Sequence, residues 1–415
     1  MCGVFGIRAP GRDVARLSYF GLYALQHRGQ ESAGIAVSED GRLTVLRDLG
    51  LVPQVFDERS LSGLKGQLAI GHTRYSTTGG NAWINSQPLI HHGRVRTVAL
   101  GHNGNLVNAA TLREEVGKTL ASTSDSEVIG AMIGDDPRPL EEAIAAAMQR
   151  LEGAASVVGL AEETLFAFRD AHGFRPLVLG QLGEDYVVAS ESCALDLVGA
   201  KLVREIEPGE LVLVDGEGLH SLRPLEVADG GALCIFEFFY LARPDTKLAG
   251  VEVHGARVRM GERLAAESPV EADLVLPIPD SGTPAAIGFA RATGIPFSEG
   301  LIKNRYVGRT FIQPEPGMRE QGIRMKFNPL AAVAGKRVVA VDDSIVRGST
   351  TRQIVQMLFD AGAAEVHVRI SSPPVVSPCY YGIDFADPDE MIAAHSTVEE
   401  VREAIGATSL AYLSL

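Results

Sequence analysis

Residues 338–355, VVAVDDSIVRGSTTRQIV, carry the pattern that decides the fold of the second half of this 415-residue chain. A short apolar run ends in two adjacent carboxylates, Asp342 and Asp343, and a turn of small residues then opens a helical pattern. A buried strand followed by such a helix is typical of βαβ units around a parallel sheet. We therefore expect an α/β domain with a parallel sheet over residues 231–415.

The same segment predicts a binding site for a sugar phosphate. In open α/β sheets, ligands bind at the carboxyl ends of strands, where backbone N–H groups at a helix N-terminus hold a phosphate. The carboxylates of Asp342 and Asp343 would accept hydrogen bonds from ribose hydroxyls or help to organise Mg²⁺. The turn would supply hydroxyls and amides from Ser344, Arg347, Gly348, Ser349 and Thr350. The alternative, an Asp-Asp-Ser helix cap, explains one aspartate and not two.

The segment resembles the phosphoribosyl-pyrophosphate (PRPP) motif of type I phosphoribosyltransferases. This resemblance implies that the chain binds PRPP with Mg²⁺ between Asp342 and Asp343. A second strand–helix junction, LPIPDSGTPAAIG, fits the same sheet, and the resemblance assigns Ser281 to the metal-bound diphosphate. From the residues alone, PDSG is simply a turn.

Between these two junctions, residues 301–329 carry a net charge of +4 in a chain whose net charge is −14. A basic loop in an acidic protein suits an anionic diphosphate, because it steers the substrate and stabilises departing pyrophosphate. The alternative is a solvated charged loop. By resemblance, the loop closes over PRPP and Lys303, Arg305 and Lys326 bind it. The other cations of the loop are Arg309, Arg319 and Arg324.

Residues 1–230 show many short apolar runs separated by Gly, Asp and Asn, with helical patterns at residues 14–26, 112–120, 125–133 and 140–151. This spacing predicts strands joined mostly as hairpins and covered by helices, an α+β arrangement. We place the domain boundary near Gly230 and Gly231, in the sequence ADGGA.

The chain begins Met-Cys, and removal of Met1 would leave Cys2 at the amino terminus. The free α-amine of such a residue can accept the proton of its own thiol, so no separate base is needed. A cysteine at position 2 is weak evidence by itself.

Three further segments support a thiol nucleophile. An arginine, Arg74, can clamp an α-carboxylate, and Asp125 can accept from an α-ammonium, so the two could hold an amino acid. The side chain of Asn103 and the backbone of Gly104 can form an oxyanion hole. Each has a plainer explanation: an ion pair for Arg74, a turn for Asn103 and Gly104, and a helix N-cap for Asp125 or its neighbour.

Together, CGVFGI, YALQHRGQESAGI, GHTRYSTTG, GHNGNL and TSDSE resemble the glutaminase domain of N-terminal-nucleophile (Ntn) amidotransferases over about residues 2–230. The resemblance implies the αββα sandwich of that family and glutamine as the substrate. It also places Arg28 and Gly29 in the glutamine pocket.

The two resemblances combine into one expectation: a pentosyltransferase that moves the amide nitrogen of glutamine to PRPP, which opens purine biosynthesis. They also imply a homotetramer inhibited by purine nucleotides. Another Ntn amidotransferase, such as one making glucosamine 6-phosphate, is disfavoured by residues 338–355. A catalytically silent PRPP-sensing regulator is disfavoured because Cys2, Asn103 and Lys326 are retained.

Many proteins of this kind hold a four-cysteine iron–sulfur cluster. By resemblance, Cys234 and Cys379 match two ligand positions, whereas a [4Fe–4S] cluster normally takes four thiolates. Cys193 matches none. Either the chain stops short of the remaining ligands, or the two cysteines are small buried hydrophobes. We expect no intact cluster in these 415 residues.

Composition excludes several classes of protein. Hydrophobic residues make up 46% and charged residues 22%, which is ordinary for a globular chain. The net charge of −14 argues against nucleic acid as a partner. The start of the chain lacks the pattern of a signal peptide, no apolar run is long enough to span a membrane, and four sparse cysteines suit a reducing compartment. We therefore expect a cytoplasmic protein with no membrane partner.

Overall fold

The computed structural model describes residues 1–76, 80–117, 120–227, 230–304, 324–383 and 388–415. These residues form two compact units. The first comprises Met1–Cys234 together with Asp245–Gly250 and a short stretch that begins at Cys379, and the second holds the remaining described residues. The domain boundary near residue 230 stays a prediction. In the structure, two stretches from later in the chain also belong to the first unit.

The first unit contains two antiparallel sheets. The seven-stranded sheet has the order β11-β9-β10-β1-β4-β2-β3, and the six-stranded sheet has the order β13-β12-β8-β7-β6-β5. The strands are β1 (Gly3–Arg8), β2 (Ser32–Glu39), β3 (Arg42–Leu49), β4 (Leu68–Arg74), β5 (Leu89–His92), β6 (Thr97–Leu106), β7 (Gly153–Ala161), β8 (Thr164–Arg169), β9 (Val178–Leu182), β10 (Asp185–Ala189), β11 (Lys201–Glu205), β12 (Leu211–Val214) and β13 (Leu219–Leu222), with the short β14 (Lys247–Leu248) later in the chain.

Helices cover the outer face of each sheet. They are α1 (Val14–Ala24), α2 (Val52–Val55), α3 (Glu58–Gly63), α4 (Ala109–Val116), α5 (Asp125–Asp135), α6 (Leu140–Met148) and α7 (Ser192–Val198). The sequence patterns predicted α1, α4, α5 and α6 with ends shifted by a few residues, whereas they did not predict α7. A seven-residue helix offers too short a periodic pattern to be distinguished from a loop.

Alternation along the strands explains why the sheets stack. In β1, Phe5 and Ile7 pack in the core that holds α1 and α7, whereas Val4 packs in the core between the two sheets. In β6, Leu100 faces the core that holds α5 and α6, and Ala99 faces the other sheet. Successive residues of a strand point to opposite faces, so each sheet is buried on both sides. The predicted αββα sandwich is confirmed.

The second unit is built on a four-stranded parallel sheet of order β16-β19-β20-β21. Its strands and helices are β15 (Val251–Glu252), α8 (Val253–Glu267), β16 (Leu274–Pro277), α9 (Thr283–Thr293), β17 (Leu301–Lys303), β18 (Phe327–Pro329), β19 (Arg337–Asp342), α10 (Ser349–Asp360), β20 (Glu365–Ile370), α11 (Ile392–His395), α12 (Val398–Ile405) and β21 (Ser409–Tyr412). The predicted α/β domain with a parallel sheet is confirmed.

Both faces of this parallel sheet are buried. Val338 and Ala340 of β19 pack in the core that holds α10 and α12, whereas Val339 and Val341 pack in the core that holds α8 and α9. This is why β19 is a continuous apolar run and not an alternating one. Within the described part of the chain, no helix combines the length and the hydrophobicity that crossing a bilayer requires.

Candidate functional sites

The first site is organised around Cys2, which immediately precedes β1. Its backbone nitrogen donates a hydrogen bond to Oδ1 of Asn103 at 3.2 Å, and its Sγ lies 3.4 Å from the carbonyl oxygen of Tyr75. The side chain is buried. Removal of Met1 would convert this backbone nitrogen into the α-amine that can accept the thiol proton. The structure therefore brings Cys2 and Asn103 together, and their catalytic roles stay a prediction.

Asn103 and Gly104 lie in β6, beside this nucleophile. Nδ2 of Asn103 is buried and has no hydrogen-bond partner among the described residues. A Cβ added to Gly104 would lie 1.9 Å from the carbonyl oxygen of Ala154 on the paired strand, so this position requires glycine. A donor without a partner next to a thiol is what an oxyanion hole needs.

One small cavity brings four of the predicted residues together: Cys2, Arg74, Gly104 and Asp125. Its volume is about 10 Å³, which is room for about one water molecule. Tyr75, Gln87, His102, Ser124 and Ser126 complete the lining.

Asp125 is the first residue of α5, but it is not the cap of that helix. Ser124 is the N-cap, and its side chain accepts from the backbone of Ser126. Oδ2 of Asp125 accepts from the backbone nitrogen of Leu106 at 3.0 Å and lies 3.7 Å from Nδ1 of His102. Burial would raise the pKa of Asp125, but the nearby imidazole lowers it below its ordinary value. The carboxylate is thus held ionised and available for an α-ammonium group.

Two residues of this site, His102 and Gln87, were not singled out from the sequence. Burial would lower the pKa of His102, but the charge of Asp125 raises it above its ordinary value. Oε1 of Gln87 accepts from the backbone nitrogen of His102 at 2.8 Å, and its Nε2 donates to Ser126 at 2.9 Å. Gln87 therefore ties the strand that carries Asn103 to the start of α5. His102 lies inside the quoted GHNGN motif, whereas no sequence signal marks Gln87.

Arg28 and Gly29 lie behind the nucleophile. Nε of Arg28 donates to the carbonyl oxygen of Cys2 at 3.0 Å. A Cβ at Gly29 would lie 2.5 Å from the carbonyl group of Thr73, so only glycine allows this loop to approach the end of β4 so closely. That both residues line a glutamine pocket stays a prediction.

The second site lies at the carboxyl end of β19, in the other unit. Asp342 and Asp343 are both buried, and the hydroxyls of Ser281 and Ser344 donate to the carboxylate of Asp343. Burial raises the pKa of both carboxyls, and the charge of Asp343 helps to hold the pKa of Asp342 well above its ordinary value. The charge of Arg257 and the two serine hydroxyls therefore offset the negative charge of the pair only in part.

The turn after this pair leads into α10. Gly348 is the N-cap residue with φ of +73°, a left-handed conformation that favours glycine. Ser349 and Thr350 begin the helix and are exposed to solvent. Arg347 donates from Nε to Glu390 at 3.0 Å. Hydroxyls and backbone amides at the start of a helix can hold a phosphate, and that this turn does so stays a prediction.

Of the described cations of the basic segment, Lys303 is the last residue of β17 and Lys326 immediately precedes β18, whereas Nη2 of Arg324 lies 3.5 Å from Oδ2 of Asp360. Nζ of Lys303 bonds to the carboxylate of Asp280, next to Ser281. The strand of Lys303 pairs with β18, and Asn304 donates to the backbone oxygen of Lys326 at 2.7 Å. The predicted roles of Arg305, Arg309 and Arg319 fall outside the described residues.

The donors at Asp342, Asp343 and Ser281 fit Mg²⁺. This ion prefers oxygen ligands, and its protein sites use one or two carboxylates with substrate phosphates completing the shell. Across the described ranges, no three His, Cys, Asp or Glu side chains gather closely enough to hold a metal on their own. A divalent cation would offset the charge of the buried pair.

Cys234 and Cys379 both belong to the first unit and are partly buried, without a disulfide. Sγ of Cys379 accepts from the backbone nitrogen of Tyr381 at 3.4 Å, and the backbone nitrogen of Cys234 donates to Phe174. A cluster of this kind takes four thiolates, and these two cysteines do not supply them. The expectation of no intact cluster stays a prediction.

Comparison with known proteins shows the family of the whole chain. A model described as the glutamine amidotransferase domain matches residues 72–197. The amidophosphoribosyltransferases of Mycobacterium bovis and Synechococcus elongatus are each 54% identical to this chain, over all of it and over 81% and 86% of their own lengths. The chain belongs to the amidophosphoribosyltransferase family.

Solved structures agree with this membership of the amidophosphoribosyltransferase family. The chain is similar to the glutamine PRPP amidotransferase from B. subtilis complexed with ADP and GMP, with a TM-score of 0.92 and 47% identity, covering 100% of this chain and 91% of the other. The predicted family, fold and enzyme class are therefore confirmed. The assignment of individual residues to substrates remains a prediction, since no comparison tests it.

Proposed function

We propose that this chain transfers the amide nitrogen of glutamine to PRPP, producing 5-phosphoribosylamine, glutamate and pyrophosphate in the first step of purine (IMP) biosynthesis. The observation that carries the proposal is the 3.2 Å hydrogen bond from the nitrogen of Cys2 to Asn103. This contact supports a site in which a nucleophile, its own base and a donor for an oxyanion act together. Membership of the family supports the complete reaction.

In the first unit, the thiolate of Cys2 attacks the amide carbon of glutamine. The Nδ2 group of Asn103 and the backbone nitrogen of Gly104 stabilise the oxyanion of the tetrahedral intermediate. Arg74 and Asp125 hold the α-carboxylate and α-ammonium of the substrate. The α-amine passes the thiol proton to departing ammonia, and water then hydrolyses the thioester to glutamate.

In the second unit, ammonia attacks C1 of PRPP and pyrophosphate leaves. Asp342 and Asp343 would hold the ribose hydroxyls and, together with Ser281, Mg²⁺. Ser344, Arg347 and the start of α10 at Gly348, Ser349 and Thr350 hold the 5-phosphate. Lys303, Arg305 and Lys326 bind the diphosphate. Bound Mg²⁺ would offset the charge that develops on pyrophosphate.

Other parts of the proposal rest on the family. They are a cytoplasmic location, a homotetrameric state and inhibition by purine nucleotides that occupy the PRPP site through their own ribose phosphate. The B. subtilis relative was solved with ADP and GMP, which supports nucleotide regulation.

The proposal is tested with purified protein that lacks Met1, supplied with PRPP, Mg²⁺ and glutamine labelled with ¹⁵N at the amide. We expect pyrophosphate to form in proportion to glutamate, with the label in phosphoribosylamine. Binding of PRPP without pyrophosphate release would favour a silent regulator. Glutamine hydrolysis without any use of PRPP would favour a different amidotransferase.

A further inference from the structure

The connection between β10 and α7 contains a buried carboxylate, Glu191, for which the mechanism above has no role. The side chain is completely buried. Oε1 accepts from Nε2 of His27 at 2.7 Å and from Nη1 of Arg28, and Oε2 accepts from the hydroxyl of Thr246 at 2.7 Å. A buried charge with several donors is costly to disturb, so its position is strongly fixed.

Arg28 connects this carboxylate to the nucleophile. One edge of its guanidinium binds Glu191, and Nε donates to the carbonyl oxygen of Cys2 at 3.0 Å. Both side chains of the ion pair are excluded from solvent. The guanidinium is planar and rigid, so fixing one edge also fixes the direction in which the other edge donates.

Ser190, the residue before Glu191, holds β1 independently of this ion pair. The hydroxyl of Ser190 accepts from the backbone nitrogen of Val4 at 2.9 Å, and the backbone nitrogen of Ser190 donates to Val4 at 2.9 Å. Asn103 holds the nitrogen of Cys2 on the other side. The hydrogen bond from Arg28 therefore orients the carbonyl group of Cys2. The same bond fixes the peptide plane next to the reactive side chain.

We propose that Glu191 is a positioning residue for attack by the Cys2 thiolate, acting through Arg28 without touching glutamine. This inference rests on the proposed glutaminase reaction. Burial would raise the pKa of Glu191, but its interactions with His27 and Arg28 hold it well below its ordinary value, so the carboxylate is ionised at neutral pH. If the thiolate is displaced by a fraction of an ångström, the protein still binds glutamine but the thiolate attacks it more slowly.

Thr246 adds a second, weaker constraint on the same carboxylate. It is fully buried and comes from residues 245–250, where the backbone nitrogen of Lys247 also donates to Ser192 at 3.0 Å. Replacement of Thr246 by valine keeps the side-chain shape and removes one hydrogen bond. T246V is therefore a milder test of the same role.

The experiment measures kcat and KM for glutamine hydrolysis by the full chain lacking Met1. We expect E191Q to lower kcat about 30-fold and T246V about threefold, each with KM changed less than twofold, since neither side chain contacts glutamine. The matched control is E210Q. Glu210 is a buried carboxylate of the same unit that pairs with Arg204 at 2.6 Å and does not bond to Cys2 or Arg28. Its replacement should leave kcat within twofold.

A double-mutant cycle separates positioning from general damage. If Glu191 acts through Arg28, E191Q and R28K should be strongly non-additive, with the double variant no more than about threefold slower than the slower single variant. Additive losses, or an E191Q kcat within twofold of the parent, would overturn the proposal. If E191Q does not fold, T246V decides: an unchanged kcat counts against the proposal, and a lower kcat at constant KM supports it.

Failure of the proposed function gives a different result. If the chain that lacks Met1 and carries no substitution hydrolyses no glutamine, the reaction itself is contradicted. If that chain is active and E191Q and T246V are equally active, only the role of Glu191 is contradicted.

Discussion

The backbone nitrogen of Cys2 donates to Oδ1 of Asn103 at 3.2 Å, while Nδ2 of the same amide is buried with no partner among the described residues. One side chain therefore has two separate tasks: its oxygen orients the base, and its nitrogen is free for the oxyanion. The substitution N103D separates these tasks, because it keeps the Oδ1 acceptor and replaces the Nδ2 donor with a second oxygen.

We predict that N103D lowers kcat for glutamine hydrolysis by about 10²–10³-fold, the loss seen when one oxyanion donor is removed. Steady-state kinetics with glutamine measure this effect. The control is N108A, since Asn108 is only partly buried and donates to the backbone oxygen of Arg150. An N103D variant with nearly full kcat would remove Asn103 from the oxyanion hole.

A second prediction concerns Gly382, which packs against the oxyanion glycine. Gly382 has φ of +105°, and a Cβ there would lie 3.1 Å from the backbone carbonyl of Gly104. G382A should therefore cost about 1–3 kcal/mol of unfolding free energy and also lower glutaminase kcat. In the control G218A, φ is +123° and no atom lies within 4 Å of the added Cβ, so stability should fall while kcat stays unchanged. Equal kcat in both variants would show that the contact with Gly104 is unimportant.

The carboxylate pair at the end of β19 predicts an opposite effect on stability and activity. Because burial raises the pKa of Asp342, ionising this carboxyl costs more free energy in the folded chain than in the unfolded chain. The folded state therefore loses stability as the pH rises above the ordinary pKa of an aspartate. D342N should therefore raise the unfolding free energy at pH 7 without Mg²⁺ by roughly 1 kcal/mol. It should also abolish pyrophosphate release from PRPP.

Chemical denaturation with and without Mg²⁺ measures the first effect. Mg²⁺ with PRPP should stabilise the parent chain and not D342N. E271Q, at a carboxylate that is 95% exposed, should behave like the parent within about 0.5 kcal/mol. Destabilisation by D342N in metal-free buffer would contradict the claim that ionised Asp342 destabilises the folded chain.

His72 predicts acid sensitivity. Burial lowers the pKa of this histidine from 6.5 to about 3, while its Nε2 donates to the backbone oxygen of His102 at 3.0 Å. Between these two values the unfolded chain binds a proton that the folded chain does not, so stability falls as pH drops below 6.5. Between pH 7 and pH 5, H72Q should lose about 2 kcal/mol less unfolding free energy than the parent. H92Q, at an exposed histidine, should keep the parental slope, and an equal slope in H72Q would show that His72 is not the acid-sensitive group.

The features that sequence predicts well are those fixed over short distances along the chain. The run Val338–Val341 followed by Asp342 and Asp343 is local, and it located β19, its carboxylates and the start of α10. The short apolar runs of residues 1–230 predicted strands covered by helices, whereas the two-sheet sandwich was implied by the resemblance to the Ntn amidotransferases. These patterns are set by backbone geometry and burial, which act between neighbours.

The remaining features depend on contacts between distant parts of the chain. Arg28 and Glu191 are 163 residues apart, and Asn105 donates to the backbone of Tyr380 across 275 residues. Neither pair leaves a periodic pattern in the sequence. Gln87 likewise gains its role only when β6 and α5 are brought together. Such contacts follow from tertiary packing, so the positioning network behind Cys2 required the structure.

The central claim is that glutamine is cleaved by Cys2 at one site and that ammonia reacts with PRPP at another. Its most direct test is pyrophosphate release from PRPP by C2A, with either glutamine or an ammonium salt as the nitrogen source. We predict no release with glutamine and near-parental release with ammonium at alkaline pH, where free ammonia is abundant. Undiminished release with glutamine, or loss of release with both nitrogen sources in a folded protein that binds PRPP, would contradict the account.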